Sequence, residues 1–138
     1  MTRQVNFNGY IQRLIPMLLI WGTMVHEYGH LMAVRVLGGG GVIRSWSLNT
    51  MGWIDIPDNM LWFVYLFGGV LQAVYGLYNM VYESDNETWL SGFSVACQGL
   101  TYSVFETLNE VELGAIFSIV VTCLVIMLLT FKGTISFE

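Results

Sequence analysis

Four apolar stretches, near residues 10–37, 60–82, 88–109 and 113–131, occupy most of the chain and leave little room for anything else. A helix crossing a bilayer needs about 20 apolar residues at roughly 1.5 Å each, and each stretch meets or approaches that length. Composition agrees: 55 % of the 138 residues are hydrophobic and only 11 % are charged, against about 25 % charged in an ordinary globular domain. The expected fold is an all-α membrane protein, one integral membrane domain over residues 1–138 with four transmembrane helices. The first stretch is too long, and too polar in its second half, for a cleaved signal peptide, so it is expected to remain in the mature protein.

The net charge of −5 rests mainly on acids between the stretches, which leaves no basic surface for a nucleic acid. Cys97 and Cys123 fall inside apolar stretches, where cysteine behaves as a small apolar residue, and no disulfide is expected. With four spans, Arg3, Arg13 and Lys132 fall on one side and Arg35 and Arg44 on the other. That balance gives no orientation; the link "ESDNE", acidic and without a basic residue, favours an outside position for itself and both termini.

"GGGG" at 38–41 stops the first helix, and "VIRSWSLNTMGWIDI" then alternates apolar and polar residues around a polar centre. It reads as a short interfacial β-hairpin near 42–56, with Trp46 and Trp53 at the headgroup level. Asp58 or Asn59 can cap the second span. That span carries Gly68, Gly69, Gly76 and Gln72, a composition that lets another backbone approach closely. The third stretch is the most polar, and the fourth reads as a plain lipid-facing helix.

The two histidines of the chain lie in "MVHEYGHLMAV", residues 24–34, within the first apolar stretch. His26 and His30 stand at i and i+4, so on a helix both imidazoles project from one face, as a two-point metal clamp requires. Glu27 lies beside that clamp, able to reach a water on the metal without being a ligand. This is the H-E-x-x-H pattern, in which zinc lowers the pKa of its water and the glutamate takes the proton. Ionisable groups inside a membrane cost roughly 2.5 to 3.5 kcal/mol each, so an idle set of three is hard to justify.

A catalytic zinc needs a third protein ligand. No other histidine exists, and a carboxylate at the right depth is the natural donor. His30 lies about 10 Å before the end of its span, and spans one and three end on the same side. Glu106 falls within about a helical turn of that depth, while Glu110 lies a turn nearer the interface and is the alternative ligand. Glu112 and the acids of the "ESDNE" link are read as solvated. Tyr102, Gln98 and Asn109 lie near Glu106 on the same stretch and are candidates to orient a ligand or bind an oxyanion. For Gln98 and Gln72, hydrogen bonding between helices is the simpler role. Gly29 permits a close helix contact, and Met24 and Tyr28 read as packing residues.

"HEYGHLMAV" in an early span, a glycine-rich hairpin, and then a span containing "FGGVLQA" resemble the core of the site-2 protease family of intramembrane zinc metalloproteases, over roughly residues 10–110. The resemblance implies a helix carrying the motif that enters from outside, a β-element on the cytosolic side, and two further core helices, the last bringing an acidic zinc ligand. His26 and His30 match the zinc ligands and Glu27 the general base. "GGVLQA" is loosely similar to the Gly-Pro and Asn motif of the second core helix, while the Asn-Pro and Leu-Asp-Gly string of many members does not occur. The expected function is a zinc-dependent intramembrane endopeptidase holding one Zn2+ per chain and acting on a membrane-spanning protein or peptide, with its active site near the cytosolic side. The rival readings are a non-proteolytic membrane metal-binding or metal-transport protein using the same ligands, and a structural subunit with a vestigial motif.

Overall fold

In the computed structural model, which describes residues 2–43, 51–54 and 56–138, the first apolar stretch forms one unbroken helical rod. It comprises α1 (Phe7–Pro16), a π-helical segment (Met17–Gly22) and α2 (Thr23–Val36). Asn6 caps its start, its side-chain oxygen accepting from the Gly9 amide at 2.9 Å. Pro16 has no amide hydrogen for the ladder, and the winding widens directly after it, until the Thr23 amide reaches the carbonyl of Leu18. Three further helices follow: α3 (Leu61–Tyr82), α4 (Asn86–Thr107) and α5 (Val111–Phe131). A 3-10 turn at Asp58–Met60 leads into α3, and no side-chain cap bond forms there, contrary to the capping role expected of Asp58 or Asn59.

Two helical segments, Asp58–Tyr82 and Val111–Phe131, are long and apolar enough to cross a membrane. The surface points the same way. Helix α5 buries Gly114, Ser118 and Thr122 along one stripe and exposes its large apolar residues, with Met127 66 % and Phe131 91 % exposed. A helix in water does the reverse, placing its apolar stripe inward. The stretch expected to be a plain lipid-facing helix is thus exposed over most of its surface, with a narrow stripe of small residues turned to the bundle.

Strands β2 (Gly40–Ile43) and β3 (Met51–Ile54) pair antiparallel, with Gly41 opposite Trp53. The hairpin therefore starts inside the glycine run, because one glycine suffices to stop α2. Gly38 takes φ +83°, its amide bonding the Arg35 carbonyl and the Gly39 amide that of Val34. The expected turn between them, with Trp46, lies outside the described residues. A second pair was not expected from sequence: β1 (Arg3–Val5) lies parallel to β4 (Ile135–Phe137), tying the two ends of the chain together. Val5 and Ile135 pack with Tyr10 and Leu90 as a small core at that end of the bundle.

The acidic link is built into the same end instead of being merely solvated. Asp85 accepts from the Thr88 amide at the start of α4 and pairs with Arg13 at 3.1 Å, while Glu87 accepts from the Asn6 amide. Partial burial works to raise the Asp85 carboxyl, but the Thr88 bonds and the Arg13 charge outweigh it and hold the carboxyl below its usual range.

Helix α3 packs on α2 and α4, and α4 packs on α5 and α1. The antiparallel α3–α4 contact is backbone on backbone: a Cβ at Gly69 would lie 2.2 Å from the Gly99 carbonyl oxygen, and one at Gly76 would lie 2.4 Å from that of Gly92. Gly69→Leu is expected to cost about 3 kcal/mol or more through overpacking. Gly40→Ala, where a Cβ meets nothing within 4 Å, should cost under about 0.5 kcal/mol. Thermal unfolding in detergent checks both; equal melting of the two variants would refute the close contact.

Candidate metal centre

Helix α2 carries His26, Glu27 and His30, all buried, toward α3 and α4. Their depth depends on glycine. A Cβ on Gly29 would lie 2.8 Å from the Gly68 Cα, and one on Gly68 would lie 2.4 Å from Cε1 of His30. The His30 ring thus fills the space that a side chain at position 68 would occupy.

Glu106 reaches the same point from the last turn of α4. Its Oε2 lies 3.2 Å from Nε2 of His26 and its Oε1 lies 3.4 Å from Nε2 of His30. Among the described residues, His26, His30 and Glu106 form a buried group whose ligand atoms all lie within 4.8 Å of one another and which could hold a metal ion.

The other ring nitrogens show what that ion would meet. Nδ1 of His30 lies 2.7 Å from the backbone carbonyl oxygen of Val64, which can only accept, so Nδ1 donates there and Nε2 is the nitrogen left facing Glu106. Nδ1 of His26 likewise donates to Oε1 of Gln72 at 3.0 Å. With both Nδ1 atoms so engaged, the two Nε2 atoms face the Glu106 carboxylate, Nε2 of His26 within hydrogen-bonding distance of Oε2; deprotonated, they and the carboxylate are three donors that a single cation satisfies. Two imidazoles and a carboxylate are a known catalytic zinc set, and ligands at about 2 Å in tetrahedral array stand about 3.3 Å apart, close to the two histidine–glutamate spacings found. The donor set therefore fits a zinc-like ion, with Gln72 and Val64 as the outer partners that fix the ring orientations.

Glu27 is 3 % exposed and lies within electrostatic reach of both histidines and Glu106, outside the ligand group. Tyr102, one helical turn before Glu106, sets its ring 5.5 Å from that of His26. Its buried hydroxyl has no hydrogen-bond partner among the described residues. A cavity of about 250 Å³ adjoins the site, walled by His26, Leu18, Leu19, Gln98, Tyr102 and Ala115 among others.

Two expected site residues stand elsewhere. Asn109 takes φ 61° and closes α4, its amide bonding the Glu106 carbonyl and the Glu110 amide that of Phe105. That left-handed turn is one asparagine tolerates, so Asn109 is a helix terminator with no part in the site. It also turns the chain away, leaving Glu110 exposed at the start of α5 and outside the ligand group. Sequence reasoning gave Gln72 only a general role between helices; an amide in an apolar span of a chain with two buried histidines was the available signal for its bond to His26.

No protein-family model, curated protein or solved structure matches the chain.

Proposed function

We propose that this chain is a zinc-dependent intramembrane endopeptidase, similar in plan to the site-2 proteases. One observation carries the reading: His26, His30 and Glu106 converge, with Glu27 buried beside them, inside a bundle whose outer surface is apolar. In this reading the rod Phe7–Val36 and α4 also span the membrane, their polar faces turned inward, which gives four spans. Helix α4 alone, at 22 residues, is about 33 Å long, enough for a hydrocarbon core of about 30 Å. The termini and the acidic link lie outside, and the site lies toward the cytosolic end.

His26, His30 and Glu106 would hold the ion, with Gln72 and the Val64 carbonyl fixing the orientation of the two rings. Bound there, zinc supplies Lewis acidity, bringing the pKa of its water to about 7 and polarising a peptide carbonyl. Glu27 takes the proton from the attacking water as the oxygen adds to the carbonyl carbon. It then gives that proton to the departing amine nitrogen as the C–N bond breaks. The substrate is a membrane-spanning protein or peptide whose helix unwinds locally, and the edge of the β2–β3 hairpin can hold the unwound segment by strand addition.

The test is purification in detergent, metal analysis and reconstitution into vesicles with a membrane-spanning peptide. One zinc per chain is expected, with cleavage that stops on chelation and returns with zinc. Stoichiometric metal that moves across the vesicle wall without cleavage would favour a metal carrier instead, and absence of bound metal would favour a structural subunit.

A further inference from the structure

The cavity beside His26 reaches the outer surface between the π-helical segment and α5. Leu19 and Ile119, which stand on its two sides, are 66 % and 56 % exposed on the apolar face of the bundle. Helix α5 is held to the bundle through α4, and the rod bounds the opening with the segment in which its winding departs from the regular α form. Such segments recur at functional sites because they re-aim side chains and widen the backbone. Among the described residues no Asp, Glu, Lys or Arg lines the cavity, yet its wall includes Gln98 and Tyr102, whose hydroxyl has no hydrogen-bond partner among those residues.

We propose that this cavity is the pocket for the substrate side chain flanking the hydrolysed bond, and that it selects a large apolar side chain of leucine to phenylalanine size. The proposal rests on the proteolytic reading of the metal centre. Size supports the occupant: a cavity of about 150 Å³ already holds a benzene molecule, so one of about 250 Å³ takes a benzyl group with part of its backbone. Position supports it too. His26 is the one member of the ligand group in the wall, so a side chain in the cavity lies beside that ligand, and a segment sliding in from the bilayer needs no aqueous route. The polar groups separate a peptide from a lipid tail, since Gln98 and Tyr102 can pair with an exposed backbone amide and carbonyl, which an acyl chain lacks. A lysine side chain finds no counter-charge there and is rejected.

The experiment uses the zinc-loaded full chain in vesicles and one membrane-spanning peptide carrying Ala, Leu, Phe or Lys beside the cleaved bond. Leu and Phe peptides should be cleaved at least about tenfold faster than the Ala peptide, the discrimination expected of an apolar pocket, and the Lys peptide least of all. Ala115→Phe, at a lining position outside the ligand group, should abolish that preference while zinc content stays unchanged. Ile119→Trp serves the same purpose if the first variant misfolds. A second readout needs no turnover: a peptide with a benzophenone side chain at the flanking position should crosslink to Leu19 or Ile119, and Ala115→Phe should suppress the crosslink. Cleavage indifferent to side-chain size, an unaltered preference in both filled variants, or crosslinking from a photoreactive phospholipid but not from the peptide would overturn the pocket. Absence of cleavage of every peptide by the wild-type chain would instead overturn the proteolytic reading, and the crosslink then decides the pocket alone.

Discussion

Glu27→Gln is expected to keep its zinc and to lose peptide hydrolysis by about 10² to 10⁴-fold, the usual contribution of a positioned general base. The substitution changes little except proton affinity. Glutamine has almost the shape of glutamate, so the buried position on α2 stays filled, and the amide avoids the cost of burying a carboxylate. Metal binding should survive because Glu27 lies outside the group formed by His26, His30 and Glu106. The discriminating power lies in that separation. A membrane protein that only stores or carries metal has no use for a base beside its ligands, and its transport would be indifferent to the change. Paired measurements of zinc per chain and of cleavage rate in vesicles decide it: full cleavage activity in Glu27→Gln would sink the mechanism, whatever the metal content.

The parts of this architecture legible in the sequence are those that repeat or that rest on a single strong constraint. Apolar length marked out the helices, since three of the stretches coincide with α3, α4 and α5 to within a few residues and the first with the rod through α2. Helical spacing put His26 and His30 on one face, and depth along two helices that end on the same side brought Glu106 to them ahead of Glu110. What stayed illegible depends on contacts between distant residues. Strands of three residues, such as Arg3–Val5 and Ile135–Phe137, are too short to show a period, and their pairing joins the two ends of the chain. The link acids read as solvated because nothing in their own neighbourhood says that Arg13 and the Asn6 amide will face them. Asn109 misled for a different reason: an asparagine two residues past the last helical turn has a backbone use, the left-handed closing of α4, that competes with any use of its side chain.

That same left-handed turn separates the two carboxylates in a way that experiment can read. Glu106 is the last inward-facing residue of α4, while Glu110 is exposed beyond the reversal. Glu106→Ala is therefore expected to weaken zinc binding by more than about 100-fold, beyond the 10 to 100-fold typical of losing an outer partner such as Gln72. Glu110→Ala should bind zinc as the wild type does. The reason is one of charge as well as count. Without Glu106 the remaining imidazoles are neutral donors on a single helix, and a doubly charged ion in an apolar bundle would have no anionic ligand to offset its loss of hydration. Glu106→Gln tests this directly, because it keeps the side chain's length and one oxygen but removes the charge, and it too should lose most of the affinity. Zinc per chain after dialysis against buffered zinc is the measurement. The reverse pattern, with Glu110→Ala stripped of metal and Glu106→Ala fully loaded, would refute this ligand set and require α4 to close differently at Asn109.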